Sequence, residues 1–357
     1  MALAANLQRI DPVRRRSTRI LIVDDSVVAR AVIARTLDVH LHYEVVGAVA
    51  DATSALAFLA ANQVDIILLD IEMPGIDGLS ALPDLIAAGD GAKILVVSSS
   101  CDDGAAATIQ ALTLGAADTL VKPSVGQLAG KFAKILDEKI ARLIDPDNPV
   151  SPTIPTPAPG LALANDFDVV AIGASTGGIH AVGQLLRTLP ASFKLPILIT
   201  QHLPGSFMPY FAAQLTVLGD RPCDVAADHM RIRPGRMIVA PGDAHIRCVK
   251  MGDDVGIRLV TDPAASGCLP SVDPMLASVA QIYGSRAFAV MLSGMGRDGT
   301  EGAKAVYQAG GYVVVQDKGS SVVWGMPGSV VQCGMAHAIL PPHEIGRLIV
   351  TQRRPSC

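Results

Sequence analysis

Two groups of residues in this 357-residue chain have types and spacings suited to chemistry. The first is acidic. Asp24 and Asp25 close one apolar run, Asp70 closes a second, Ser98 a third, and Lys122 follows a fourth. If these runs are parallel strands, their carboxyl ends open on one edge and bring the side chains together. Neighbouring carboxylates repel unless a cation relieves them, and a hard divalent ion such as Mg2+ takes few carboxylates and keeps water. An ion, a lysine and a hydroxyl around one aspartate make a phosphoryl pocket, with Asp70 as the nucleophile of an acyl phosphate. A single acid at a strand end more often caps the next helix. The joint placement favours the pocket.

The second group is a serine, a histidine and an aspartate. The run 168–172 enters Gly173-Ala174-Ser175-Thr176-Gly177-Gly178, where glycines permit a sharp strand-to-helix turn that lifts Ser175 to the sheet edge. The helix that follows aims free N–H groups and its positive dipole end at the same point. The run 196–200 ends in Gln201-His202, and the run 287–292 ends in SGMGRDG, which contains Asp298. Base beside nucleophile and carboxylate orienting the base is triad logic. His180 sits on the serine's own helix and His245 lies off the parallel strands, so His202 is the expected base.

The elements that position these residues follow from hydrophobic patterning. Strand runs at 19–23, 45–49, 65–69, 93–97 and 119–121 alternate with amphipathic segments, the last covering 126–144. Such alternation predicts a flavodoxin-like (βα)5 unit with a parallel sheet. From Asp145 to Asn165 proline recurs with no periodicity, which predicts a semi-extended linker. Beyond it the strand-helix alternation resumes. Between 233 and 261 it yields to short strand-turn-strand text, with APGD at 240–243 and MGDD at 251–254 expected as hairpin turns. The expectation is an α/β chain throughout: an extension (1–18), a first domain (19–144), a linker (145–165), a doubly wound second domain with an antiparallel hairpin portion (166–350) and a tail (351–357).

Composition agrees with two packed cores. Half of the residues are apolar and 4% aromatic, which suits Val-, Ile- and Leu-rich parallel strands. A net charge of -4 gives no long-range attraction for nucleic acid. No run is long enough to span a bilayer, and the basic block Arg14-Arg15-Arg16 follows the weak apolar part of the N-terminus instead of preceding it. The six cysteines lack C-x-x-C spacing, which points to a reducing cytoplasm and away from zinc or disulfides.

The first half resembles the receiver domain of bacterial response regulators, through VDDS at 23–26, LLDIEMPGIDGL at 68–79, VVSSS at 96–100 and KPS at 122–124. The resemblance implies that Asp70 takes phosphate from a histidine kinase. It also implies that Asp25, Asp70 and the backbone carbonyl of Glu72 hold Mg2+ with Asp24 assisting through water, that Ser98 is the hydroxyl switch, and that Lys122 contacts the phosphoryl group. Thr119 stands where that family carries an aromatic switch residue, and threonine has no ring to rotate.

The second half is similar to the CheB-type methylesterase domain, through GASTGG, QHLP, APGDAH, PSVD, MLSGMGRDG and WGMPG. That similarity implies Ser175 as nucleophile, His202 as base, Asp298 as orienting carboxylate, the Met295 N–H at the oxyanion and Thr176 assisting placement. It further implies hydrolysis of glutamyl methyl esters, and deamidation of glutamines, on methyl-accepting chemoreceptors. No cofactor is expected in this half, and a monomer in solution. Leu269 and Gly328 replace basic residues that the family commonly carries. The alternative is a response regulator whose output domain binds partners without catalysis.

Overall fold

The computed structural model describes residues 16–98, 102–122, 129–144 and 167–351. The expected linker, most of the N-terminal extension, nearly all of the C-terminal tail and the start of the helix expected at 126 lie outside them.

The first half alternates strand and helix: β1 (Thr18–Val23), α1 (Val27–Leu37), β2 (Tyr43–Val49), α2 (Ala52–Leu59), β3 (Ile66–Asp70), α3 (Gly78–Ala88), β4 (Lys93–Ser98), α4 (Asp102–Leu114), β5 (Asp118–Val121) and α5 (Ala129–Ile144). The strands pair in parallel in the order β2-β1-β3-β4-β5. Helix starts are written locally. Ser26, Asp51 and Asp77 each accept the N–H three residues on, from Ala29, Ser54 and Ser80, satisfying a donor that the helix leaves unpaired. Alternate residues of β1 face opposite cores, Leu21 and Val23 toward α2–α4, Ile20 and Ile22 toward α1 and α5.

The second half contains β6 (Val169–Ala174), α6 (Gly178–Leu186), β7 (Ile197–Gln201), α7 (Met208–Gly219), β8 (Cys223–Val225), β9 (Met237–Val239), β10 (His245–Met251), β11 (Asp254–Val260), α8 (Val272–Tyr283), β12 (Ala287–Met291), α9 (Thr300–Gln308), β13 (Tyr312–Gln316), α10 (Gly325–Gln332), β14 (Ala338–Leu340) and α11 (Pro342–Thr351). Seven of these strands form one sheet in the order β14-β13-β12-β6-β7-β9-β8. Its recorded pairings are parallel. Every residue of β6 is buried, because helices cover both sheet faces. Val170 and Ile172 face the core shared with α6, α7 and α11, while Val169 and Ala171 face the core shared with α8, α9 and α10.

The hairpin text resolves unevenly. MGDD is the turn of an antiparallel pair, β10 with β11, which forms its own two-stranded sheet. APGD is not a hairpin turn. The three-residue β9 before it pairs in parallel with β7 and β8, and APGD carries the chain out of that sheet toward β10. The antiparallel portion is therefore a separate layer and not an edge of the main sheet.

The halves touch directly. The apolar core on the α2–α4 side of the first sheet is continuous with that beneath α6 and α7, and Val323 of the second half packs into the core on the α1–α5 side. Polar contacts join the same seam: Gly177 N–H donates to Ala117 O at 3.1 Å, and His180 Nδ1 lies 2.8 Å from Thr113 O.

Candidate active site and phosphoryl pocket

The acidic pocket, the candidate phosphoryl site, lies at the carboxyl edge of the first sheet. Asp24 follows β1, Asp70 ends β3, Ser98 ends β4 and Lys122 follows β5. The Lys122 ammonium sits 2.6 Å from Asp70 Oδ2 and 3.0 Å from Asp24 Oδ2. Asp24 and Asp70 are buried and Asp25 is exposed, and one carboxylate oxygen of each lies within 4.8 Å of the others. Burial pushes the Asp70 carboxyl up, Lys122 opposes that, and the charge of Asp24 adds to it. Burial lowers Lys122, but hydrogen bonds and charge from Asp70 and Asp24 outweigh it and raise the ammonium's pKa. Asp24 Oδ2 is buried without a well-aligned hydrogen bond, and the ammonium at 3.0 Å is its one cationic neighbour among the described residues. An acidic oxygen left in this way beside two further carboxylates fits a hard cation such as Mg2+. Glu72 donates its N–H to Asp70 Oδ1 at 3.2 Å. Ser98 Oγ accepts from Thr108 Oγ1 at 3.1 Å. Thr119, at the expected switch position, is half-buried on β5, with a buried hydroxyl that makes no hydrogen bond.

The second site forms where three adjacent strands end. β6 lies between β7 and β12, so the turns after them surround one crevice at the point where strand order reverses. Ser175 follows β6, His202 follows β7 and Asp298 lies in the loop after β12. Ser175 Oγ is 3.1 Å from His202 Nδ1, and His202 Nε2 is 2.7 Å from Asp298 Oδ2. With the Nε2 proton given to the carboxylate, Nδ1 is left as an acceptor facing the serine hydroxyl. The ring is turned the opposite way to the template triad, in which Nε2 faces the serine.

The backbone explains why the serine stands there. Gly177 has φ of 76°, left-handed, and a Cβ on it would lie 2.5 Å from Val322 and 2.8 Å from Ser293 Oγ. The loop after β12 presses as closely, since a Cβ on Gly294 would stand 2.8 Å from Ser175 Cβ. Only glycine admits both approaches. Ser175 N–H donates to Ser293 O at 3.0 Å, and Gln201 Nε2 donates to Ser175 O at 2.8 Å, fixing the turn from both flanks.

Asp298 is held by more than the histidine. Ser271 Oγ donates to its Oδ1 at 2.5 Å and Val272 N–H to its Oδ2 at 2.7 Å. Burial works against the ionised carboxylate, but the His202, Ser271 and Val272 donors prevail and pull its pKa down. His202 is shifted upward. Burial opposes its charge, while the hydrogen bond to Asp298, the nearby Cys268 sulfur and the Asp298 charge outweigh it, to about 9. Next to them, Asp273 is raised, by burial first and also by the charge of Asp298, with Gly302 N–H opposing.

Sequence reasoning assigned no role to Ser271, Gln201 or Cys268. Ser271 was visible as the serine of PSVD, but nothing along the chain shows that it reaches Asp298, 27 positions away. His245 stands in that supporting layer and away from Ser175. Its Nδ1 accepts Ser271 N–H at 2.8 Å, and its Nε2 lies 2.9 Å from Asp262 O. The Thr176 hydroxyl is directed to Asp118 Oδ2 of the first half at 3.3 Å. Met295 is 45% exposed, and its N–H donates to no protein group among the described residues.

A five-stranded receiver sheet with an acidic pocket, joined to a doubly wound domain with such a crevice, defines a response regulator with an enzymatic output domain. Residues 20–131 match the response regulator receiver domain and residues 170–349 the CheB methylesterase family. The chain is 40% identical to protein-glutamate methylesterase/protein-glutamine glutaminase 1 of Paramagnetospirillum magneticum, over 94% of this chain and 96% of that protein. It is 39% identical to protein-glutamate methylesterase/protein-glutamine glutaminase 2 of Caulobacter vibrioides, over 94% and 99%. Among solved structures it is similar to the Thermotoga maritima CheB methylesterase catalytic domain, with TM-score 0.51 and 35% identity over 52% of this chain and 99% of that one. The chain belongs to the CheB methylesterase family and carries that family's receiver domain.

Proposed function

We propose that this chain hydrolyses γ-glutamyl methyl esters on methyl-accepting chemoreceptors, and deamidates receptor glutamines, under control of phosphorylation at Asp70. The observation that carries the esterase reading is the relay Ser175 Oγ–His202–Asp298, at 3.1 and 2.7 Å. Ser175 Oγ attacks the ester carbonyl as Nδ1 of His202 takes its proton. The imidazolium is held by Asp298, and the tetrahedral oxyanion collects at the free N–H of Met295 near the start of α6. Collapse expels methanol, which takes the proton from His202. Water then attacks the acyl-enzyme by the same route and releases glutamate. An amide passes through the same intermediate, which is why deamidation fits the site.

Control is read at the domain seam. A cleft of about 370 Å3 is lined by Asp118, Lys139 and Arg142 from one side and Ser175, Gln201 and His202 from the other. Ala117 O occupies the Gly177 N–H and Asp118 the Thr176 hydroxyl, both next to the nucleophile. This arrangement is the closed state. Phosphate from a histidine kinase on Asp70 draws Lys122 and Ser98 toward the new oxygens and shifts the population away from closure. Bound Mg2+ would be held by Asp25 and Asp70 with the Glu72 carbonyl, Asp24 acting through water, and would screen these carboxylates from the phosphoryl charge. Residues 19–144 act as the receiver and 166–350 as the output domain, and the proline-rich stretch 145–165 sets their reach. No helix among the described residues is long and apolar enough to cross a membrane, which accords with a cytoplasmic enzyme acting on the inner ends of receptors.

The test is methanol release from methylated receptor by Ser175→Ala. The expected result is a loss of at least about 10^4-fold with the fold retained. Retention of hydrolysis by Ser175→Ala would remove Ser175 as the nucleophile, and retention of the adaptation phenotype without hydrolysis would instead indicate a partner-binding output domain. Activity on small esters and unmodified peptides but not on receptor would indicate a general hydrolase.

A further inference from the structure

A cluster outside both sites is built like a metal centre. His40 and His42 lie between α1 and β2, either side of Leu41, and Asp137 is on α5. His40 Nδ1 is 3.7 Å and His42 Nε2 3.9 Å from the same atom, Asp137 Oδ1. Both separations are too long for hydrogen bonds. They are close to the spacing of about 3.4 Å expected between two ligands of one tetrahedral ion with bonds of about 2.0–2.1 Å. One donor atom from each of the three residues lies within 4.8 Å of the others.

The carboxylate is already oriented. Tyr43 O–H donates to Asp137 Oδ1 at 2.7 Å, the outer-layer support that ligating carboxylates characteristically have. The Tyr43 ring packs edge-on against His42 with centroids 4.2 Å apart and tilted against His40 at 5.5 Å, so it also restrains both imidazoles. The His42 side chain is 63% exposed, which leaves an open coordination position and a path for the ion. No lysine or arginine is recorded in an ion pair with Asp137, so no fixed cation competes for it among the described residues.

We propose that His40, His42 and Asp137 form a site for one divalent transition-metal ion of the zinc class, with Tyr43 as a positioning residue. Imidazole nitrogens with one carboxylate select Zn2+, Co2+, Ni2+ or Cu2+ over Mg2+. The ion ties the α1–β2 connection to α5, the helix that also carries Lys139, whose ammonium pairs with Asp118 at the active-site seam. The site does not depend on the esterase reading.

The probe is Co2+, added to the full-length protein stripped of metal and held in excess Mg2+ so that the acidic receiver pocket is saturated. One equivalent should bind with the visible absorption of a nitrogen- and oxygen-ligated ion and without a thiolate charge-transfer band. His42→Gln and Asp137→Asn should each weaken binding by about 100-fold or more, and Tyr43→Phe by about 10-fold. His229→Gln, at an unrelated exposed His-Asp pair, should change nothing. Unchanged affinity in both His42→Gln and Asp137→Asn would overturn the proposal. So would a thiolate band abolished by Cys268→Ser, which would assign the ion to the His202, Cys268 and Asp298 cluster.

Discussion

Asp298 has its oxygens taken by His202, Ser271 and Val272, and each of these donors does a different job. Ser271 also caps α8 by accepting Asp273 N–H, so Ser271→Ala should cost about 1–3 kcal/mol of stability in denaturant unfolding and about ten-fold in kcat. Ser271→Thr, which keeps the hydroxyl, should recover most of both. The upward shift of His202 has a kinetic sign. A raised pKa keeps the imidazole protonated to higher pH, and only the neutral ring can accept the Ser175 proton. The kcat/KM profile should therefore rise with pH along a limb lying above the ordinary histidine value of about 6.5. Cys268→Ser should move that limb toward acid, because the sulfur is one of the groups holding the proton. A limb unmoved in that variant would remove Cys268 from the account. At this scale the meeting of Ser175, His202 and Asp298 was legible, since each follows a strand whose carboxyl end is fixed by parallel pairing. Ser271 was not, because its partner lies 27 residues away across the crevice and no periodicity encodes that distance.

The turn between β6 and α6 joins sequence to site. Gly177 must take a left-handed φ of 76° with Val322 pressed against its α-carbon, so Gly177→Ala should destabilise by about 1–3 kcal/mol and displace Ser175. Thermal unfolding and ester turnover should fall together in this variant, whereas Ser175→Ala loses turnover alone. Long apolar strands announced themselves through uninterrupted Val, Ile and Leu. The three-residue β8, β9 and β14 did not, because so few residues show no period and only pairing makes them strands, β9 with β7, β8 with β9 and β14 with β13. APGD misled for the same reason. Its Pro-Gly-Asp text is sound turn chemistry, but a turn leaving a parallel sheet and a hairpin turn draw on the same residues.

Across the whole molecule, the seam between domains joins the acidic pocket to the esterase crevice. β5 and the turn before it supply Ala117 and Asp118 to the residues after Ser175, and the same strand leads to Lys122 beside Asp70. A change at Lys122 is thus four residues from Asp118 and five from Ala117, whose contacts fall on the two residues after Ser175. Asp118→Ala removes the partner of both Thr176 and Lys139, and should raise unphosphorylated turnover several-fold while leaving phosphorylated turnover nearly unchanged. None of these contacts was legible in the sequence, since they join surfaces that no local pattern relates. The most direct test of the account is methanol release from methylated receptor by the full-length chain in Mg2+, with and without a small phosphodonor, beside Asp70→Asn. The account predicts slow release that the phosphodonor raises about ten-fold or more in the parent chain and leaves unchanged in Asp70→Asn. Equal rates with and without phosphodonor in the parent chain, or equal stimulation of Asp70→Asn, would contradict it.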